Sequence, residues 1–80
     1  MASAPGIQVS VNGEVRQVPS GTTIADLLRL LALDRRLVAV EHNLRVVPRA
    51  EHGERRLNHC DRVEIVTFVG GGSPVLTSTA

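Results

Sequence analysis

The sequence predicts an α+β domain in which a mixed sheet of about five strands clasps one helix. Three observations predict it. An alternating run, IQVSV at residues 7–11, meets Asn12 and Gly13; a leucine-rich segment with a capping signature follows at residues 23–33; a second alternating run, RVEIVTFV at residues 62–69, closes the apolar part of the chain. Eighty residues make one small domain with a single core, which buries a little over ~60% of the surface its unfolded chain exposes. Phe68 is the one aromatic residue, so that core is aliphatic.

In the first run Ile7, Val9 and Val11 alternate with Gln8 and Ser10, the period of a half-buried strand. Asn12 and Gly13 form the strongest short hairpin signal, and EVRQV at 14–18 returns antiparallel. A strict two-residue turn sets Glu14 and Arg16 on the face of Val11 and Val9, so a looser loop or a bulge is expected there. Pro19, Ser20 and Gly21 end the hairpin. Thr23 and Asp26, three apart, then have the form of a capping box. Ile24, Leu27, Leu28 and Leu31 follow the i, i+3, i+4, i+7 spacing of one buried face, and Asp34, Arg35 and Arg36 close the helix without a glycine.

Residues 37–43, LVAVEHN, read as a third strand with Val38 and Val40 on one face. Val46 and Val47 form a short strand that Pro48 confines to an edge. Residues 49–60 are polar and irregular, with Leu57 as a core anchor. Asp61 opens the longest and central strand, in which Val63, Ile65 and Val69 alternate with Glu64, Val66 and Phe68. This order of elements is the β-grasp. One helix covers one face of such a sheet, so the face carrying Val66 and Phe68 meets water or a partner. The alternative makes Phe68 the largest filler of a small cluster under the 49–60 loop.

Composition narrows the function. All nine basic residues are Arg, against eight acids, for a net charge of +1, and the charges are interspersed. No nucleic-acid or membrane surface is expected. Without lysine the chain cannot be its own isopeptide acceptor in a conjugation system; a codon bias toward Arg explains the same absence. Cys60 stands alone, which excludes an internal disulfide framework, and neither a membrane-spanning run nor a signal-peptide core is read. The chain reads as cytoplasmic.

From VNGE through PSGTTIADLL, VAVEHN, VVPR and DRVEIVTFVGGG, residues 7–72 resemble the ubiquitin-like sulfur carriers, most closely the ThiS type of thiamine biosynthesis. The resemblance implies a protein substrate rather than an enzyme. Its C-terminal glycine is adenylated and converted to a thiocarboxylate that gives its sulfur to thiazole formation. Gly72 becomes the acyl carrier, and Gly70 and Gly71 thread a narrow channel where a Cβ would clash. Val66 and Phe68 become the partner-binding patch. The implied partners are a ThiF-type adenylyltransferase that uses ATP, a thiazole synthase and a sulfur donor such as a cysteine desulfurase. No stably bound cofactor and no metal are implied. Carriers for molybdopterin, cysteine or a tRNA base, and a non-reactive β-grasp interaction module, remain as alternatives. Without the resemblance, three glycines alone favour a flexible linker.

The resemblance stops at SPVLTSTA, residues 73–80. Carriers of this type end in Gly-Gly, whereas here the acyl group of Gly72 is bonded to Ser73. Residues 1–6 are expected to be a flexible terminus and 7–72 the carrier domain. Residues 73–80 are expected to be a disordered extension, removed by a protease or belonging to a fusion. His42, His52, His59 and Cys60 show no ligand spacing such as C-x-x-C or H-x-x-x-H, which argues against a thiol or metal site. Relatives carry Gly more often where this chain has Cys60, so positive φ there would strain the loop. Asp26 is read as a capping carboxylate rather than an acid catalyst. Arg35, Arg36, Arg55 and Arg56 are read as solvated faces or as steering charges for an acidic partner.

Overall fold

Asn12 and Gly13 both take left-handed backbone, with φ of 51° and 84°, and so form a two-residue turn whose twist matches the strands it joins. The computed structural model describes residues 6–69 and the backbone of 73–76. In it β1 (Gly6–Val11) and β2 (Glu14–Pro19) pair without a bulge, Val11 facing Glu14 and Val9 facing Arg16. The expected loose loop is therefore corrected. β2 is an edge strand whose residues 14–17 are exposed, so Glu14 and Arg16 reach water and pair with each other at 3.6 Å. Gly6 also belongs to β1 rather than to a terminal segment.

The helix α1 spans Ile24–Leu30. Thr23 Oγ1 accepts from the Asp26 N–H at 3.1 Å while Asp26 Oδ2 accepts from the Thr23 N–H at 3.2 Å, completing the capping box. Its next free donors are also met: Ile24 N–H bonds to Arg55 O and Ala25 N–H to His52 O, each at 2.9 Å. The helix stops earlier than its leucine spacing suggests. Ala32 takes φ of 58°, and Leu33 N–H reaches back to Leu28 O while Ala32 N–H bonds to Arg29 O. This is a Schellman end built on alanine instead of glycine.

β3 (Val38–His42) and β4 (Arg45–Val47) form a second two-residue hairpin over Asn43 and Leu44, and β5 (Arg62–Val69) is central. The order across the sheet is β2-β1-β5-β3-β4, with β1 and β5 parallel and the other neighbours antiparallel. This mixed sheet over one helix is the expected α+β architecture. The core holds Val9, Val11, Ile24, Leu27, Leu28, Val38, Val40, Leu57, Val63 and Ile65 as expected, and adds Val18. Leu31 is only half-buried, because it caps the helix rather than lying within it. Val47 is also buried.

The expected disorder of 73–80 is corrected for its first half. Ser73–Leu76 forms a further strand, β6, antiparallel to β5, with Val69 facing Ser73 and Val66 facing Leu76. Residues 77–80 lie outside the described residues, as do 1–5 and 70–72.

Candidate functional site

The candidate site is the end of β5 and the face of the sheet turned away from α1. Val63 and Ile65 are buried under the helix, so the alternating Glu64, Val66 and Phe68 stand on the opposite face, where all three are half-buried. Val66 lies beside Ala39 of β3. Strand register adds two residues that sequence reasoning did not assign to this face. Val15 faces Ser10 and Val46 faces Glu41, both on the side away from the core, and they are 67% and 70% exposed. Their signal was available: Val46 adjoins buried Val47, and Val15 stands three residues before buried Val18, so strand alternation turns both away from the core. The outer face thus carries apolar side chains on β2, β3, β4 and β5.

The start of β5 is built differently. Asp61 is 8% exposed and accepts three hydrogen bonds: from His42 Nε2 at 2.6 Å, from the Asn58 N–H at 2.7 Å and from Asn43 Nδ2 at 3.1 Å. Burial pushes its carboxyl up, but the Asn58 N–H, His42 and Asn43 together more than offset this and hold it below the usual value of 3.8. Asn43 Oδ1 accepts from the Arg62 N–H at 2.8 Å. On the opposite edge Asn12 bonds both the N–H and the C=O of Ile65, at 2.7 and 3.1 Å. Each hairpin therefore uses its first turn residue, an asparagine, to bind the central strand. Sequence reasoning saw the turn at Asn12 but carried the third strand through Asn43, and it missed this second use of both side chains.

The remaining candidates are dispersed. His42 belongs to the Asp61 cluster, buried His52 bonds Val47 O at 3.2 Å, and the exposed His59 accepts from the Gln8 N–H at 3.1 Å. Cys60 is exposed, and no cluster of three His, Cys, Asp or Glu is placed to hold a metal ion among the described residues. Cys60 takes φ of 72°, the strained conformation expected for it. Asp26 caps the helix and pairs with Arg29. Arg36 pairs with Asp34 at 2.9 Å and Arg55 with Glu51 at 2.8 Å; Arg35, Arg36 and Arg56 are exposed and Arg55 is half-buried. Gly70, Gly71 and Gly72 lie outside the described residues. No helix among the described residues is long and apolar enough to cross a membrane.

A mixed sheet gripping one short helix, with its central strand leading straight into three glycines in the sequence, defines a ubiquitin-like β-grasp domain. The sequence model of the ThiS family matches residues 9–72. The sulfur carrier protein ThiS of Bacillus subtilis is 37% identical over 65 residues, covering 80% of this chain and 98% of that one. A crystal structure of the thiamine biosynthesis protein ThiS from Geobacter metallireducens superposes with a TM-score of 0.71 at 29% identity, over 82% of this chain and all of that one. The chain belongs to the ThiS family. A thiazole synthase of Paramagnetospirillum magneticum is 42% identical over 67 residues, which are 84% of this chain but only 21% of that protein. The chain thus spans about a fifth of the thiazole synthases it matches.

Proposed function

We propose that the chain is a sulfur carrier whose working end is Gly72, exposed as a C-terminal carboxylate once residues 73–80 are lost. The observation that carries this reading is where the family match ends: at residue 72, the last of the three glycines, with all of the tail outside it. A carboxylate is a poor acyl donor. Joining it to AMP supplies a leaving group, and a sulfur nucleophile then displaces AMP to leave a thiocarboxylate. Catalysis belongs to the adenylyltransferase, which uses ATP, and to the sulfur donor. The carrier contributes a side-chain-free end and a face to hold, for which the apolar residues around Val66 and Phe68 are suited.

Thiazole formation is the acceptor reaction favoured by the similarity to thiazole synthases. The same similarity supports a second reading, in which the carrier domain is one part of a longer synthase chain and residues 73–80 are the start of a connection. Mass spectrometry of the protein recovered from its native cell separates the two. The chemistry is tested with two chains, one ending at Gly72 and one at Ala80, each mixed with the adenylyltransferase, ATP and a sulfur donor. The short chain alone is expected to gain the mass change of one oxygen replaced by sulfur. Equal charging of the full chain, with 73–80 retained, would exclude the precursor reading.

A further inference from the structure

The edge of β5 that faces β1 is occupied in three different ways along its length. β1 pairs with it only at Arg62 and Val63, and the Asn12 side chain then takes both backbone groups of Ile65. Beyond that point β1 has ended. The other edge is filled by β3, which pairs with Val66 and Thr67, so β6, pairing with the same two residues, must lie on the β1 side. Backbone groups alternate between the edges along a strand. Since Val63 and Ile65 point theirs toward β1, Thr67 and Val69 do the same, and they are the residues that exchange hydrogen bonds with Val75 and Ser73. Pro74 faces Phe68, in the alternate position where an N–H points away from β5, so its missing donor costs the ladder nothing. A proline on the outer edge also discourages a further strand from adding there.

We propose that Ser73–Leu76 is a latch. It is a strand held in cis on the β1-side edge of β5, and it keeps residues 73–76 turned back along the sheet until the strand lifts or is cut away. Ser73–Leu76 runs antiparallel to β5, with Ser73 facing Val69, and so heads back along the sheet, whereas a carrier end that enters a partner's channel must continue outward. This consequence rests on the carrier reading; the latch itself rests on register alone. The same edge, once vacated, offers Thr67 and Val69 for backbone pairing with an extended strand of a partner.

Amide hydrogen exchange, read residue by residue, tests the latch on the full chain, on the chain ending at Gly72, and on two full-length variants, Val75→Pro and Leu76→Pro. Val75→Pro removes a donor aimed at β5; Leu76→Pro removes one aimed away. Truncation and Val75→Pro are each expected to speed exchange at Thr67 and Val69 at least tenfold, with Leu76→Pro close to the parent. Ile65, held by Asn12, serves as the unchanged control. A broad-specificity endoprotease is expected to cut between Val69 and Val75 faster in Val75→Pro than in the parent. Equal exchange at Thr67 and Val69 in the full and truncated chains overturns the proposal, and so does Leu76→Pro behaving like Val75→Pro. Failure of the short chain to be charged counts against the carrier reading, and that assay is independent of the exchange rates.

Discussion

The two halves of β5 are held by different kinds of interaction. From Asp61 to Ile65 the chain is fixed by groups from three separate segments: the side chains of His42 and Asn43, the Asn58 N–H and the Asn12 side chain. From Val66 to Val69 it is held in backbone ladders, to β3 at Val66 and Thr67 and to β6 throughout, and the outward side chains of Val66 and Phe68 are half-buried. Side-chain networks depend on geometry from several directions and open only with the domain, whereas a terminal backbone ladder can open alone. On the proposed carrier reading, that division serves a domain gripped at one end and used at the other.

The largest effect should come from breaking the fixed half. Asp61→Ala leaves His42, 8% exposed, without its carboxylate and removes the acceptor for Asn58 and Asn43. Each buried donor left without its acceptor costs ~1–3 kcal/mol, and the sum is a large share of the stability of a domain this size. Urea unfolding should show it directly. Phe68→Ala, in the other half, should cost clearly less.

Acid should act on the same half. Asp61 has a lower pKa folded than unfolded, so its stabilisation is complete above about pH 5 and is lost as pH falls through the folded value. Asp61→Asn, though less stable near neutrality, should therefore lose less stability than the parent between pH 6 and pH 3. Parallel losses in the two proteins would show that Asp61 is not the group responsible. Asn12→Ala comes next in size. It removes both part-buried bonds from the Asn12 side chain to the N–H and C=O of Ile65, a loss expected to cost ~1–3 kcal/mol.

The fixed half was the less legible of the two in sequence. Strand alternation and the leucine spacing gave the core and the order of elements, because burial imposes periods that survive in a single sequence. Asn12 was visible as a turn residue, but Asn43 was read as the end of the third strand; the bonds of both to β5 join positions far apart in the chain, and Asp61 announced itself only as a strand opener. The helix end was misjudged because Ala32 carries none of glycine's signal for left-handed backbone. β6 was hidden by composition: small polar residues with a proline suggest disorder, and only the register shows that the proline falls where no donor is needed. The outer-face patch was legible at Val66 and Phe68, and incomplete without the pairing that turns Val15 and Val46 outward.

The other half should respond in binding rather than in stability. Phe68→Asp places a charge on the half-buried outer face, and in a docked complex that charge would be desolvated without a partner. Affinity for the adenylyltransferase should fall by tenfold or more, with a thermal midpoint close to the parent's. Equal affinity at equal stability would move the contact elsewhere on the domain.

The smallest expected effect sharpens the comparison by strengthening the fixed half. Cys60 lies in the turn before Asp61 with φ of 72°, and its N–H bonds Gln8 O at 2.7 Å. Left-handed backbone costs an L-residue ~1 kcal/mol, and glycine adopts it without that cost. Glycine is also freer in the unfolded chain, which takes back part of the gain. Cys60→Gly should therefore raise stability by ~0.5–1 kcal/mol, or a few degrees in the thermal midpoint, while Cys60→Ala, which keeps the Cβ and the strain, should not. The gain should appear only in amides that exchange through opening of the whole domain, such as Ile65. Thr67 and Val69, if they exchange by release of β6, should keep the parent's rates. Slower exchange at all three residues in Cys60→Gly would mean that β5 opens as one unit and that its two halves are not separable.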